Sequence, residues 1–240
     1  MRRLMSRLAY ILSTVIFGLL AALFIPVFIM SLRLNLIKMC ACGAGFSWEA
    51  AGSYMGLFAG FVAYAFFLLF LAFPRVRHNL NWFMNFTHEL THTLVAVIFL
   101  AKIREFVVKD RECYVSYQSG PVGYVPITLA PYCIPIYTLM IFPFRFVGDS
   151  HYMLVFDVLI AFTYAFHVHS FIKQTRYTQS DIEGCGLALS TTFITFIHAC
   201  ILALICAIPR GGLINALARV FCEYPGNILA GFSKWLHAVL

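Results

Sequence analysis

Charge is what this chain has least of. Of 240 residues only 11% are Asp, Glu, Lys or Arg, while 62% are hydrophobic. A soluble globular domain carries about 25% charged residues, so that class is excluded and a multi-pass integral membrane protein is implied. The eight cysteines contain no C-x-x-C pair, which leaves no thiol motif of that spacing to argue from. Internal repeats and low-complexity segments are missing, as is any recognisable peptide-binding domain. No basic patch is interleaved with aromatics, so nucleic acid is not indicated as a partner despite a net charge of +7. That charge reads instead as flanking charge that sets topology against an anionic lipid bilayer. A basic start, Met1 to Arg7, runs into an apolar stretch longer than a signal-peptide core. It lacks a clear small-residue cleavage site, so a retained span is expected.

What is present is a series of apolar runs. A single polytopic membrane domain over residues 1–240 is expected, all-α, with about six transmembrane helices of roughly 20 residues each. The spans are placed at about 8–32, with a kink at Pro26, then 54–73, 82–101, 124–142, 152–171 and 184–208. Residues 33–53 read as a loop with a Gly/Cys-rich centre holding Cys40 and Cys42, with Trp48 as an interfacial anchor and Glu49 as a solvated acid. Cys133, Cys200 and Cys206 lie in apolar runs and read as small hydrophobes. After the third span the pattern turns β-prone: Phe106-Val107-Val108 and Cys113 to Tyr117, separated by Lys109-Asp110-Arg111-Glu112, read as a short β-hairpin. The fourth span holds Pro126, Pro131 and Pro135 and is expected to be bent or broken. A tail from Arg210, with Gly211-Gly212 and then Arg219 and Lys234 in an apolar-rich stretch, suits a membrane surface. The positive-inside rule speaks both ways. Arg2, Arg3, Arg7, Arg75 and Arg77 favour a cytoplasmic N-terminus, and Lys102, Arg104, Lys109 and Arg111 oppose it.

Chemistry concentrates in the third span, where His88-Glu89-Leu90-Thr91-His92 reads H-E-x-x-H. On a helix, residues four apart share a face, so His88 and His92 can reach one Zn²⁺ through neutral imidazoles. Glu89 then stands one step round as a general base. An acid inside a membrane costs a few kcal/mol, which makes an ionisable trio there a functional hypothesis by default. A catalytic zinc site needs three protein ligands. Asp157, His167, His169, Asp181 and His198 are the candidates for the third. His167 and His169 diverge by about 160° on one helix, so they do not face a single metal together. Asp181 opens the last span, and spacing leaves a ligand and a helix-start acid as equal readings.

These residues together resemble the site-2 protease family of intramembrane zinc metallopeptidases: H-E-x-x-H in a span, a β-prone stretch, a Pro-rich span, and a distant Asp181 near Gly184. The likeness covers a metallopeptidase-like core at about residues 80–205. It implies His88 and His92 as zinc ligands, Glu89 as the base that activates water, and Asp181 as third ligand. In the family that Asp sits in an Asn-Pro segment leading to Leu-Asp-Gly, where this chain has Gln179-Ser180-Asp181-Ile182-Glu183-Gly184, a divergent pattern. His167 or His169 would stand behind a ligand or supply a proton, and Asp157 is the alternative ligand. The implied activity is hydrolysis of peptide bonds in a membrane-embedded protein or peptide. The rival reading is a transporter or proton-coupled channel whose intramembrane His, Glu and Asp relay protons. A haem-binding electron carrier using His92 with His167 or His198 ranks lower. A di-iron lipid oxidase ranks lowest, since its several histidine-rich boxes are missing.

Overall fold

The computed structural model describes residues 2–40, 48–109, 112–147, 152–176, 179–207 and 217–239. Helices dominate: α1 (Arg2–Cys40), α2 (Trp48–Leu69), α3 (Pro74–Ile98), α4 (Pro121–Cys133), α5 (Ile136–Val147), α6 (Met153–Gln174), α7 (Ser180–Cys185), α8 (Leu187–Ala207) and α9 (Tyr224–Val239). One antiparallel hairpin, β1 (Lys102–Val108) and β2 (Cys113–Gln118), follows α3. Compared with the β-prone runs expected at 106–108 and 113–117, β1 begins four residues earlier and β2 ends one residue later. Lys109 N–H closes the turn on the Glu112 carbonyl at 2.8 Å. Asp110, Arg111, Cys42, Arg210 and Gly211-Gly212 lie outside the described residues. Trp48 and Glu49 open α2 instead of sitting in a loop. The last segment is helical, entered through a π turn at Arg219–Glu223.

About six spans are expected; among the described residues, four helices are long and apolar enough to cross a membrane: Ala9–Met30, Tyr54–Ala72, Met153–Gln174 and Leu187–Ala207. A fifth crossing exists if the bent pair α4–α5 is one span. Its 81° break falls at Pro135, which has no N–H to carry the helix onward. The motif helix α3 is not in that set. It starts at Pro74, eight residues before the apolar run, with the ring at its first turn where no N–H is needed. It thereby includes Arg75, Arg77, His78, Asn79 and Asn81. The result is an amphipathic helix whose buried residues, Leu80, Met84, Thr87, His88, Thr91, His92, Val95 and Ala96, recur at three- and four-residue steps.

The chain divides into two compact units, residues 1–55 with 191–240, and residues 56–190. In the first, α1 and α8 run side by side in one direction. Phe17 meets Phe193 edge-on at 4.9 Å, Phe24 meets Phe196 at 5.4 Å, and Val27 joins Cys200 and Ala203 in the core. Val220 and Tyr224 complete that core from the tail.

The second unit holds the candidate site. Here α2 lies along α6 through Gly56 and Gly60, a G-x-x-x-G pair that lets the backbones approach. A Cβ on Gly60 would fall 2.3 Å from the Val158 carbonyl oxygen and 2.7 Å from the Ala161 Cβ, and backbone cannot move aside cheaply. Gly60→Val is therefore expected to lower stability by about 1–3 kcal/mol, the usual cost of overpacking, read as the unfolding midpoint in detergent; an unchanged midpoint would contradict this packing. Further along the same contact Tyr64 Oη and His169 Nδ1 hydrogen-bond at 2.8 Å.

Candidate metal centre

Three side chains converge. His88 and His92, one turn apart on α3, and Asp181 on α7 each offer a donor atom, and these atoms all lie within 4.8 Å of one another. Asp181 Oδ2 is 3.7 Å from His88 Nε2 and 3.5 Å from His92 Nε2. Donors bound tetrahedrally at zinc distances stand about 3.3 Å apart, so the two Asp181 contacts need to shorten by only a few tenths of an ångström. Among the described residues it is the sole His/Cys/Asp/Glu group of this kind. Both imidazoles are buried and the carboxylate is half-buried.

Local sequence chemistry makes that burial tolerable. The hydroxyls of Thr87, Thr91 and Thr93 return to the carbonyls one turn back, Phe83, Thr87 and Glu89, at 2.8, 2.7 and 2.9 Å. The motif's threonines are thus satisfied within their own helix. His92 is fixed by a bond of 2.8 Å between Nδ1 and the Ile127 carbonyl. A carbonyl only accepts, so Nδ1 carries the proton and Nε2 turns a lone pair toward Asp181. A lone pair and a carboxylate oxygen at 3.5 Å repel unless a cation lies between them, either a proton or a metal ion. Without a metal, burial pushes the Asp181 carboxyl up, but the two adjacent imidazoles outweigh it and hold it below the ordinary carboxylate range.

Glu89 is half-buried beside the trio and accepts a hydrogen bond from the Val115 backbone N–H of β2. The hairpin therefore lies over the motif. Phe106 meets Phe86 edge-on at 6.3 Å, Tyr117 lies 6.2 Å from the His92 ring, and its hydroxyl bonds Thr128 Oγ1 at 2.9 Å.

The remaining candidates go elsewhere. Asp157, the alternative ligand, lies outside the trio and pairs with Arg145 on α5 at 2.8 Å, both groups buried, so the partner that a buried acid requires is a cation on the neighbouring helix. His169 faces α2 through Tyr64. His167, nearly opposite it on α6, lines a small polar cavity with His88, Thr87, Thr91, Ser170 and Gln174. His198 belongs to the other compact unit. Asp181 is a first-turn residue of α7 rather than its cap, which is Gln179, with no side-chain capping bond. Sequence reasoning did not find Tyr132, whose hydroxyl donates to Asp181 Oδ2 at 3.0 Å, or the Ile127 carbonyl behind His92. Tyr124, Thr128 and Tyr132 repeat every four residues through the Pro-rich segment, and that spacing was the available signal.

No family model, curated protein or solved structure matches the chain.

Proposed function

We propose that this protein is an intramembrane zinc metalloprotease that hydrolyses peptide bonds of membrane-embedded proteins or peptides. One observation carries the reading: two helical imidazoles and one carboxylate bring three donor atoms within 4.8 Å of one another beside a second acid, Glu89. His88, His92 and Asp181 hold the ion in this reading, and a fourth position faces Glu89. A bound Zn²⁺ supplies Lewis acidity, polarising the scissile carbonyl and lowering the pKa of a water towards about 7. Glu89 takes that water's proton and passes it to the departing amine, a role it can fill because it faces the trio without belonging to it. The Val115 N–H orients the acceptor lone pairs of Glu89. The small cavity lined by Pro131, Pro135, His167 and Gln174 reaches His88 and is the path we assign to water. The hairpin suits an extended substrate segment, which would add as a strand after local unwinding. The bilayer is the medium of the reaction.

The alternative, a transporter or channel, uses the same His/Asp cluster with a proton in place of the metal. Metal analysis of protein purified without added chelator separates the two. About one equivalent of zinc per chain, lost on prolonged chelation and regained on readdition, is the expected result. Metal-free protein that binds no added zinc would remove the protease reading and leave the relay.

A further inference from the structure

Asp181 sits on a six-residue helix that only Gly186 separates from α8, an unpromising platform for a ligand that must be held within a fraction of an ångström. What steadies it is one face of α4. Tyr124, Thr128 and Tyr132, four residues apart, point three hydroxyls at α7. The Tyr132 hydroxyl donates to Asp181 Oδ2 at 3.0 Å. The Thr128 hydroxyl reaches the Cys185 thiol and also bonds Tyr117 of the hairpin. A Cβ on Gly184 would lie 2.8 Å from the Tyr124 hydroxyl, so a side chain there would displace either that phenol or α7. Tyr132 is also the edge-on neighbour of His88, with ring centroids 5.3 Å apart at 85°, and is only 1% exposed.

We infer that Tyr132 is a positioning residue for the metal centre, anchoring the Asp181 carboxylate through its hydroxyl, and that the Tyr124/Gly184 contact sets the seat of α7 on which that anchor depends. The inference rests on the metal-site reading above. A neutral phenol that donates to a ligating carboxylate removes one of that carboxylate's alternative orientations. Loss of such a partner typically costs about 10–100-fold in metal affinity. The phenol does not touch the ion, so its removal weakens binding without abolishing it.

The test is zinc affinity by chelator competition on the full-length protein in detergent, with the visible spectrum of the Co²⁺-loaded form as a second readout. Tyr132→Phe is expected to bind zinc about 10–100-fold more weakly, with Co²⁺ bands shifted in position or intensity. Gly184→Ala should weaken binding by pushing α7 off the Tyr124 hydroxyl. Gly184→Ala combined with Tyr124→Phe should recover most of the loss, a rescue that general destabilisation does not produce. Wild-type affinity and spectrum in Tyr132→Phe would overturn the inference while leaving the metal site standing. If Tyr132→Phe fails to fold, the Gly184/Tyr124 pair decides, and absence of rescue overturns it. A wild-type protein that binds neither zinc nor Co²⁺ fails at the earlier step, that of the metal centre itself.

Discussion

Replacing Glu89 by Gln is expected to cut cleavage of a membrane-anchored reporter by about 10²–10⁴-fold, the usual contribution of a positioned general base, while zinc content stays at the wild-type level. The two halves of that expectation come from one geometric fact. Glu89 stands beside His88 on α3 but lies outside the donor trio, so an amide in its place leaves all three donors intact. The amide also keeps the oxygen that accepts from the Val115 N–H, so the hairpin retains its contact. What disappears is basicity, since a carboxamide cannot take a proton from water at neutral pH. Initial rates on matched amounts of metal-loaded enzyme are the measurement. Turnover at the wild-type rate would eliminate Glu89 as the base.

Arg145→Leu is expected to destabilise the fold by about 3–5 kcal/mol, because it strips the cation from a buried carboxylate. Arg145 Nε and Asp157 Oδ1 are 2.8 Å apart, between α5 and α6, with both side chains at most 10% exposed. Nothing nearby lets Asp157 withdraw, since α2 presses on it from behind: a Cβ at Gly56 would lie 2.6 Å from the Asp157 Cβ. Removing both charges tells the pair apart from the packing. Arg145→Leu with Asp157→Leu trades the uncompensated charge for apolar contact and should recover most of the loss, as buried pairs often do. Unfolding in detergent micelles measures both. A single variant within about 0.5 kcal/mol of wild type, as at an ordinary surface position, would mean that the carboxylate finds water or another partner. Neither variant touches the donor trio, so residual folded protein should still load zinc.

These two residues show how differently the chain can be read. Glu89 was legible from four neighbours, because the H-E-x-x-H spacing is a local consequence of 3.6 residues per turn. Asp157 was legible only as a need: an acid in an apolar run demands a partner, and no local spacing names Arg145 as that partner. Asp181 was in between. Its distance from the motif permitted a ligand or a helix-start acid, and the chain departs from the familiar segment around it. The motif helix shows the same limit: hydropathy starts it at Trp82, but Pro74 starts it earlier and brings in polar residues, so α3 is an amphipathic helix.

By itself, the amino-acid order determined that this is a largely apolar, helical chain with spans of membrane length, a hairpin after the motif, a break in the Pro-rich segment, and two imidazoles on one helical face. Each of those follows from interactions within a few residues, where hydropathy, proline and helical periodicity act. The tertiary structure decided which acid meets those imidazoles, which meets Arg145, and that the hydroxyls of α4 seat α7. Those outcomes depend on contacts between segments 12 to about 90 residues apart, whose geometry is set by packing at Gly56, Gly60 and Gly184, and no local pattern encodes a distance across that packing.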